Sequence, residues 1–190
     1  MTGTPKFAVF ASGSGSNFQA IHDAVKAGKV PGQAVLVVTD KPDAFVVERA
    51  KKVGIKTLAI KPSSFSSKQA YEQAVLDKLS ELKVEWIILA GYMRLIGDVL
   101  LGAYPNRIIN IHPSLLPSFP GKDAIGQAME HGVKVTGVTV HYVDAGMDTG
   151  PILAQAAVEV VSGNREKTEE RIHAVEHELY TKTLQQLWSR

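Results

Sequence analysis

The chain has 190 residues, 45% hydrophobic and 21% charged, with a formal net charge of +2 and no cysteine. This suits one soluble globular domain over residues 1–190 and excludes disulfides, thiolate catalysis and cysteine-based zinc sites. No apolar run reaches the ~18 residues of a membrane span, and no basic run suggests a nucleic-acid groove, although a single small anion needs only a few local donors.

Met1–Lys6 holds no apolar stretch followed by a cleavage site, so no signal peptide is read and the expected address is the cytoplasm. Lys6–Ala11 reads as a strand, then a Gly/Ser loop, then a helix over Asn17–Ala27 with Phe18, Ile21 and Val25 on one side. Gln33–Thr39 is a second strand. Pro42 opens a helix through Phe45, Val46, Arg49 and Val53, and Gly54 ends it. Lys56–Ile60 is a third strand. Ser66 with Gln69 resembles a capping box ahead of a helix carrying Tyr71, Val75, Leu79 and Leu82. Glu85–Ala90 is apolar enough for a strand buried on both faces. Asn106–Ile111 is a fifth strand, Ala124–His131 a short helix, and Thr136–Val143 and Ile152–Val160 two later strands, the first of them alternating. Glu166–Trp188 closes the chain as an amphipathic helix through Ile172, Val175, Leu179, Leu184 and Leu187. Strands alternating with helices predict an α/β fold: a doubly wound, mostly parallel twisted sheet with helices on both faces. Ligands of such sheets sit beyond the carboxyl ends of the strands.

Four unusual segments each follow a predicted strand. Ser12–Asn17 (SGSGSN) precedes a helix, whose free N–H groups and dipole suit a phosphate. It is neither a Walker A loop nor a dinucleotide fingerprint, and an ordinary βα turn fits it equally well. Gly91–Arg94 offers Arg94 to a carboxylate and its backbone to a flat heterocycle, or is a surface loop with a solvated arginine. Asn110 and His112 lie two apart, hence on one face of a strand, and Pro113, Pro117 and Pro120 stiffen the loop that follows. Asp144–Pro151 places two carboxylates in a Gly-rich loop that is otherwise a polar turn. His141, inside the preceding strand, reads as structural.

Asn, His and Asp together suit acyl transfer without a covalent intermediate. An amine attacking a formyl carbon leaves negative charge on oxygen, and donors aimed at that oxygen are the main catalytic resource. A free imidazole is mostly neutral at pH 7, and a carboxylate beside it favours the cation. Asp148 is the candidate carboxylate for His112. His, Asp or a bound water could carry away the amine proton. Ser114 is a poor nucleophile candidate, lacking the Gly-x-Ser-x-Gly elbow.

FASGSGSN (Phe10–Asn17), LAGYMRLI (Leu89–Ile96), INIHPSLLPSFPG (Ile109–Gly121) and TVHYVDAGMDTGPI (Thr139–Ile152) resemble the folate-dependent formyltransferases, in that family's order and over nearly the whole chain. The Asn-x-His-Pro-Ser-Leu-Leu-Pro run is specific to the group, and the Ser12–Asn17 loop is similar to its glycinamide ribonucleotide branch. The resemblance implies a Rossmann-like formyltransferase fold. It implies transfer of a formyl group from 10-formyltetrahydrofolate, as co-substrate and without a metal, to the amine of glycinamide ribonucleotide in purine (IMP) synthesis. Asn110, His112 and Asp148 would be the catalytic trio, with His112 the proton donor. Gly15, Ser16, Asn17, His173 and Glu176 would bind the ribonucleotide. Met93, Arg94, Leu95 and Ile96 would border the pterin, with Asn110 and the loop Asp144, Ala145, Gly146, Met147 and Asp148 on its other side. Lys68 would meet the glutamate tail, in place of an arginine found in some relatives, and without that residue's bidentate fork.

Longer relatives continue beyond Arg190, and assembly as monomer or homodimer stays open. The methionyl-tRNA enzyme of the same group carries an additional C-terminal domain and the formyltetrahydrofolate hydrolase an additional N-terminal one. Neither is expected here. A binding-only module would not need the catalytic trio, and the scattered histidines give no convincing metal spacing.

Overall fold

The structure, a computed structural model, describes residues 3–190; Met1 and Thr2, part of the stretch read for a signal peptide, lie outside the described residues. In chain order the elements are β1 (Lys6–Phe10), α1 (Ser16–Lys26), β2 (Gln33–Thr39), α2 (Phe45–Lys52), β3 (Lys56–Ala59), a 3-10 turn (Pro62–Ser64), α3 (Lys68–Glu81), β4 (Trp86–Leu89), α4 (Asp98–Ala103), β5 (Ile108–His112), α5 (Ala124–His131), β6 (Val135–Tyr142), β7 (Ile152–Glu159) and α6 (Arg165–Trp188). The seven strands make one sheet in the order β3-β2-β1-β4-β5-β6-β7. Pairs from β3 to β5 are parallel, while β5–β6 and β6–β7 are antiparallel, so β6 alone runs against the rest. The chain winds outward from β1 to β3 and then returns to β4 on the other side of β1. That reversal is the topological switch point where such sheets bind ligands.

Alternation along the central strands divides the core. Phe7 and Val9 of β1 pack with α1, α2 and α6 through Phe18, Val46, Ile172 and Leu184. Ala8 and Phe10 face the opposite side and pack with α3 and α4 through Tyr71, Val75, Leu79 and Leu100. The four β1 residues are fully buried. Burying a side chain the size of phenylalanine stabilises by about 1.5–3 kcal/mol before ordering entropy is counted.

Gln33–Thr39 and Ala124–His131 fall where the sequence places them, and the other expected elements overlap their counterparts within a few residues. Four details differ. The helix at Lys68 is capped by Ser67, not Ser66: the Ser67 hydroxyl accepts from Ala70 N at 3.0 Å. The fifth strand begins at Ile108, because Asn106 adopts φ +56°, a left-handed turn that asparagine tolerates better than most residues. β6 is buried from Thr136 to His141 rather than alternating. α6 covers one of its faces and the loop after β5 covers the other, so closely that a Cβ on Gly137 would sit 2.8 Å from Leu115 Cγ. α4 is an additional helix. The buried Glu72 carboxylate stabilises its start, accepting from Gly97 N at 2.7 Å and Leu100 N at 3.4 Å.

On α6, Thr168, Ile172, Glu176, Tyr180 and Leu184 recur every four residues and form its buried stripe. The paired register of β4 and β5 stops at Ile88 and Ile109. At that opening the Tyr180 hydroxyl lies 2.7 Å from the Leu89 carbonyl and 3.2 Å from the Ile109 carbonyl. Complete burial raises its phenol well above the ordinary value, which keeps the O–H as a donor. Tyr180→Phe leaves both carbonyls unserved, and the expected loss is about 1–2 kcal/mol of stability. In urea unfolding the midpoint should fall with an unchanged slope.

Candidate active site

A cavity of about 530 Å3 opens at the switch point. Three of the four segments singled out in the sequence follow β1, β4 and β5 and reach it from the carboxyl edge of the parallel strands. The fourth leaves β6, which runs the other way. That loop returns alongside the sheet until Asp148 stands next to His112 of β5.

At one end of the cavity lies the Gly/Ser loop. Gly15 has φ +76°, and a Cβ there would sit 2.6 Å from Val46 Cγ2, so only glycine fits. The loop is held from α2: Val46 N donates to Gly13 O at 3.1 Å, and Arg49 Nε donates to Ser14 O at 2.7 Å. Gly15 caps α1 without a side-chain hydrogen bond, so the N–H groups of the first turn are left for a ligand. Ser16 and Asn17 line the same wall. Opposite them, buried Glu176 of α6 accepts from His173 Nδ1 at 3.0 Å and from Asn17 Nδ2 at 3.4 Å. The bond to Glu176 raises the His173 value above that of free imidazole, outweighing partial burial, which lowers it.

A lip formed by Met93, Arg94, Leu95 and Ile96 borders the middle of the cavity, with Met93 and Leu95 more than half exposed. Ser12, buried at the end of β1, fixes this lip: its hydroxyl accepts from Met93 N at 2.9 Å and donates to Asp40 Oδ1 at 2.6 Å. Asp144, Gly146, Met147 and Asp148 form the facing wall. Bonds from Thr149 Oγ1 and Gly146 N hold Asp144 below the usual carboxylate range and close its turn. Two of the expected residues are not on the wall. Ala145 is exposed and off the cavity lining, and exposed Lys68 runs beside Gly97, where a Cβ would meet its Cε at 3.0 Å.

Asn110, His112 and Asp148 come together as expected. His112 Nε2 lies 2.9 Å from the Phe119 carbonyl, and its Nδ1 lies 3.5 Å from Asp148 Oδ2. Asp148 Oδ2 also accepts from Gly121 N at 2.8 Å. Behind them the proline loop is anchored to β6 and β7. Thr139 Oγ1 donates to Ser114 O at 2.7 Å and accepts from Leu116 N at 3.1 Å, and Gln155 Nε2 donates to Leu116 O at 2.9 Å. Ser114 is fully buried with its hydroxyl committed to Ser118 O, which removes it as a nucleophile.

The sequence reading gives Gly121 no role, places Ser12 only within the phosphate loop and reads His141 as structural. His141 Nε2 lies 3.5 Å from Asn110 Nδ2 and 3.9 Å from Asp148 Oδ1, so it belongs to the cluster rather than to the core alone. The signal was the antiparallel register that sets Asn110 opposite His141, and register is not written in either strand separately. Among the described residues no group of three or more His, Cys, Asp or Glu is placed to hold a metal ion, and no helix is long and apolar enough to cross a membrane.

In an NMR titration the His173 ring is expected to titrate above about 6.5, and Glu176→Gln to bring it back down. Because folding raises this value, the pair stabilises the fold below the ordinary histidine range, and its contribution is lost as pH rises through the folded value. An unmoved midpoint in Glu176→Gln would contradict the assignment.

Residues 5–184 match the formyl transferase family. The chain is 56% identical over 183 residues to phosphoribosylglycinamide formyltransferase of Bacillus subtilis, covering 96% of this chain and 94% of that protein. It is 39% identical over 173 residues to the Escherichia coli protein of the same name, covering 90% and 82%. Among solved structures, glycinamide ribonucleotide transformylase 1 from Geobacillus kaustophilus matches with a TM-score of 0.95 at 56% identity, covering 97% of this chain and 99% of that one. Since the matched span contains every loop that lines the cavity, from Gly13 to Glu176, the chain belongs to the formyl transferase family.

Proposed function

We propose that this protein transfers the formyl group of 10-formyltetrahydrofolate to the amine of glycinamide ribonucleotide, giving formylglycinamide ribonucleotide and tetrahydrofolate in purine synthesis, and that it acts in the cytoplasm. The observation that carries the reading is the Asn110–His112–Asp148 cluster, set between an anion-ready helix start and an apolar lip within one cavity.

The ribonucleotide phosphate lies against Gly15, Ser16 and Asn17, with His173 and Glu176 beside the sugar and glycinamide end. The flat pterin lies between the Met93–Ile96 lip and the Asp144–Asp148 loop. Lys68, outside the cavity wall near Gly97, meets carboxylates of the glutamate tail beyond the lip. The amine nitrogen attacks the formyl carbon, and the carbonyl electron pair moves onto oxygen. Asn110 donates to that oxygen, and the His112 Nε2–H, which rests on the Phe119 carbonyl in the free protein, turns to it as the substrates bind, while Asp148 stands at His112 Nδ1 to support the proton-bearing ring. On collapse the carbon–nitrogen bond to the folate breaks. The proton lost by the attacking amine is matched by one gained at the folate nitrogen, with the His112–Asp148 pair or water as carrier.

Purified protein mixed with 10-formyltetrahydrofolate should release tetrahydrofolate only when glycinamide ribonucleotide is present. Release without the ribonucleotide would point to hydrolysis instead, and no release in either mixture would refute the reading. His112→Ala should lower kcat by about 10²–10³ while both substrates still bind. Affinities that collapse in parallel with turnover would remove His112 from the catalytic role.

A further inference from the structure

We infer that His141 is a positioning residue, whose Nε2 accepts one amide N–H of Asn110 and so aims the other N–H into the cavity. This role rests on the formyl-transfer reading and adds a residue to it. β5 and β6 are antiparallel, with Asn110 directly opposite His141 and His112 directly opposite Thr139. β6 therefore supports the reacting strand in the same two-residue rhythm: Thr139 anchors the loop that leaves His112, and His141 stands beside Asn110.

The ring of His141 is 2% exposed. Its Nδ1 lies 2.8 Å from the Tyr142 carbonyl. A carbonyl only accepts, so Nδ1 carries the proton, and in the neutral ring Nε2 is a bare acceptor. That bare nitrogen lies 3.5 Å from Asn110 Nδ2, the outer limit of a hydrogen bond, and such bonds in free enzymes commonly tighten once substrate is bound. The two ends of an asparagine amide pack alike and differ only in hydrogen bonding. Beside a bare ring nitrogen, the oxygen end would set lone pairs against a lone pair, whereas the NH2 end donates. An NH2 group has two hydrogens. With one held by His141, the other is available to an oxygen in the cavity, which Asn110 lines. Without His141 the amide can turn over and present its own oxygen to the developing oxyanion. Asp148 Oδ1, 3.9 Å from the same ring nitrogen, makes no hydrogen bond to Asn110, whose amide nitrogen is met by His141 Nε2.

The test is a double-mutant cycle. His141→Phe keeps a ring and removes the acceptor. His141→Gln restores an acceptor oxygen near the position of Nε2. His141→Phe should lower kcat by about tenfold or more, short of the 10²–10³ for loss of an oxyanion donor, with both KM values held within about threefold. His141→Gln should recover most of the loss. In the Asn110→Ala background, His141→Phe should cost little further, since the residue acts through Asn110. Thermal melts identify any variant that fails to fold, and the His141→Gln comparison then carries the decision. The 15N-edited spectrum of the free protein gives a readout independent of activity: the Asn110 side-chain amide should move in His141→Phe and return in His141→Gln. A full, additive kcat loss in the Asn110→Ala background, or His141→Gln as slow as His141→Phe, would overturn the role. Wild-type protein that fails to formylate the ribonucleotide would instead overturn the functional reading, leaving the amide contact to be judged by the spectrum alone.

Discussion

The Asp148 carboxylate is the point on which the site closes. One oxygen accepts from Gly121 N and faces His112 Nδ1, and the other faces His141 Nε2. Three stretches of chain distant in sequence thereby converge on one group only 13% exposed. A carboxylate taken out of water is costly unless hydrogen bonds and charge replace the lost hydration. Meeting that requirement sets the path of two loops. The proline loop must bring Gly121 N inward, and the loop after β6 must double back to deliver the side chain. Asp148 itself takes φ +55° to make the turn, a left-handed conformation costing a non-glycine residue roughly 1–2 kcal/mol. Gly121 N and the His112 ring offset that cost only when both are in place.

The sheet supplies the room in which this happens. β4 and β5 separate beyond Ile88 and Ile109, and two buried polar side chains serve the backbone, one where regular pairing ends and one at the start of α4. The Tyr180 hydroxyl spans the Leu89 and Ile109 carbonyls from α6, and the Glu72 carboxylate spans Gly97 N and Leu100 N from α3. Backbone groups buried without partners would otherwise penalise an opening at this position. Ser12 does the equivalent for the lip by holding Met93 N. The cavity is thus framed by side chains on rigid elements, and its lining is shared between the ends of strands and helices, as with Asn17, Asn110, His112 and Glu176, and the loops between them.

Much of this was legible from one-dimensional pattern. The strand Gln33–Thr39 and the helix Ala124–His131 announce themselves because period and end signals agree. The trio Asn110, His112 and Asp148 is legible because the first two share one face at the end of a strand, the third lies in the loop after the next strand, and all three fall in family motifs. The misses share a cause. α4 has only six residues and begins on a carboxylate from another helix, so nothing local marks its start. Ser66 and Ser67 are equally good caps on paper, and the packing of Tyr71 and Val75 selects the register that places Ser67 at the helix start. His141 reads as a strand residue because its partner is thirty-one positions away and meets it only through antiparallel register. Features fixed by tertiary contact leave no local trace.

The two ends of the cavity meet different physical demands. At the α1 end an anion would be received by uncapped backbone N–H groups and a half-exposed histidine whose cationic form Glu176 favours. Water still reaches that end, so a doubly charged group would surrender little hydration on arrival, and each contact there is individually weak. At the β5 end the donors are buried, where the same charges interact far more strongly and where an unpaired group would be expensive. Under the proposed reaction, weak and forgiving contacts fix the position of the ribonucleotide, and that binding energy holds its amine against the formyl carbon. The strong and unforgiving contacts are then reserved for a charge that exists only while the tetrahedral oxygen does. Separating the two keeps the buried cluster from being satisfied by the substrate's phosphate, which would stabilise the ground state and forfeit the gain in rate.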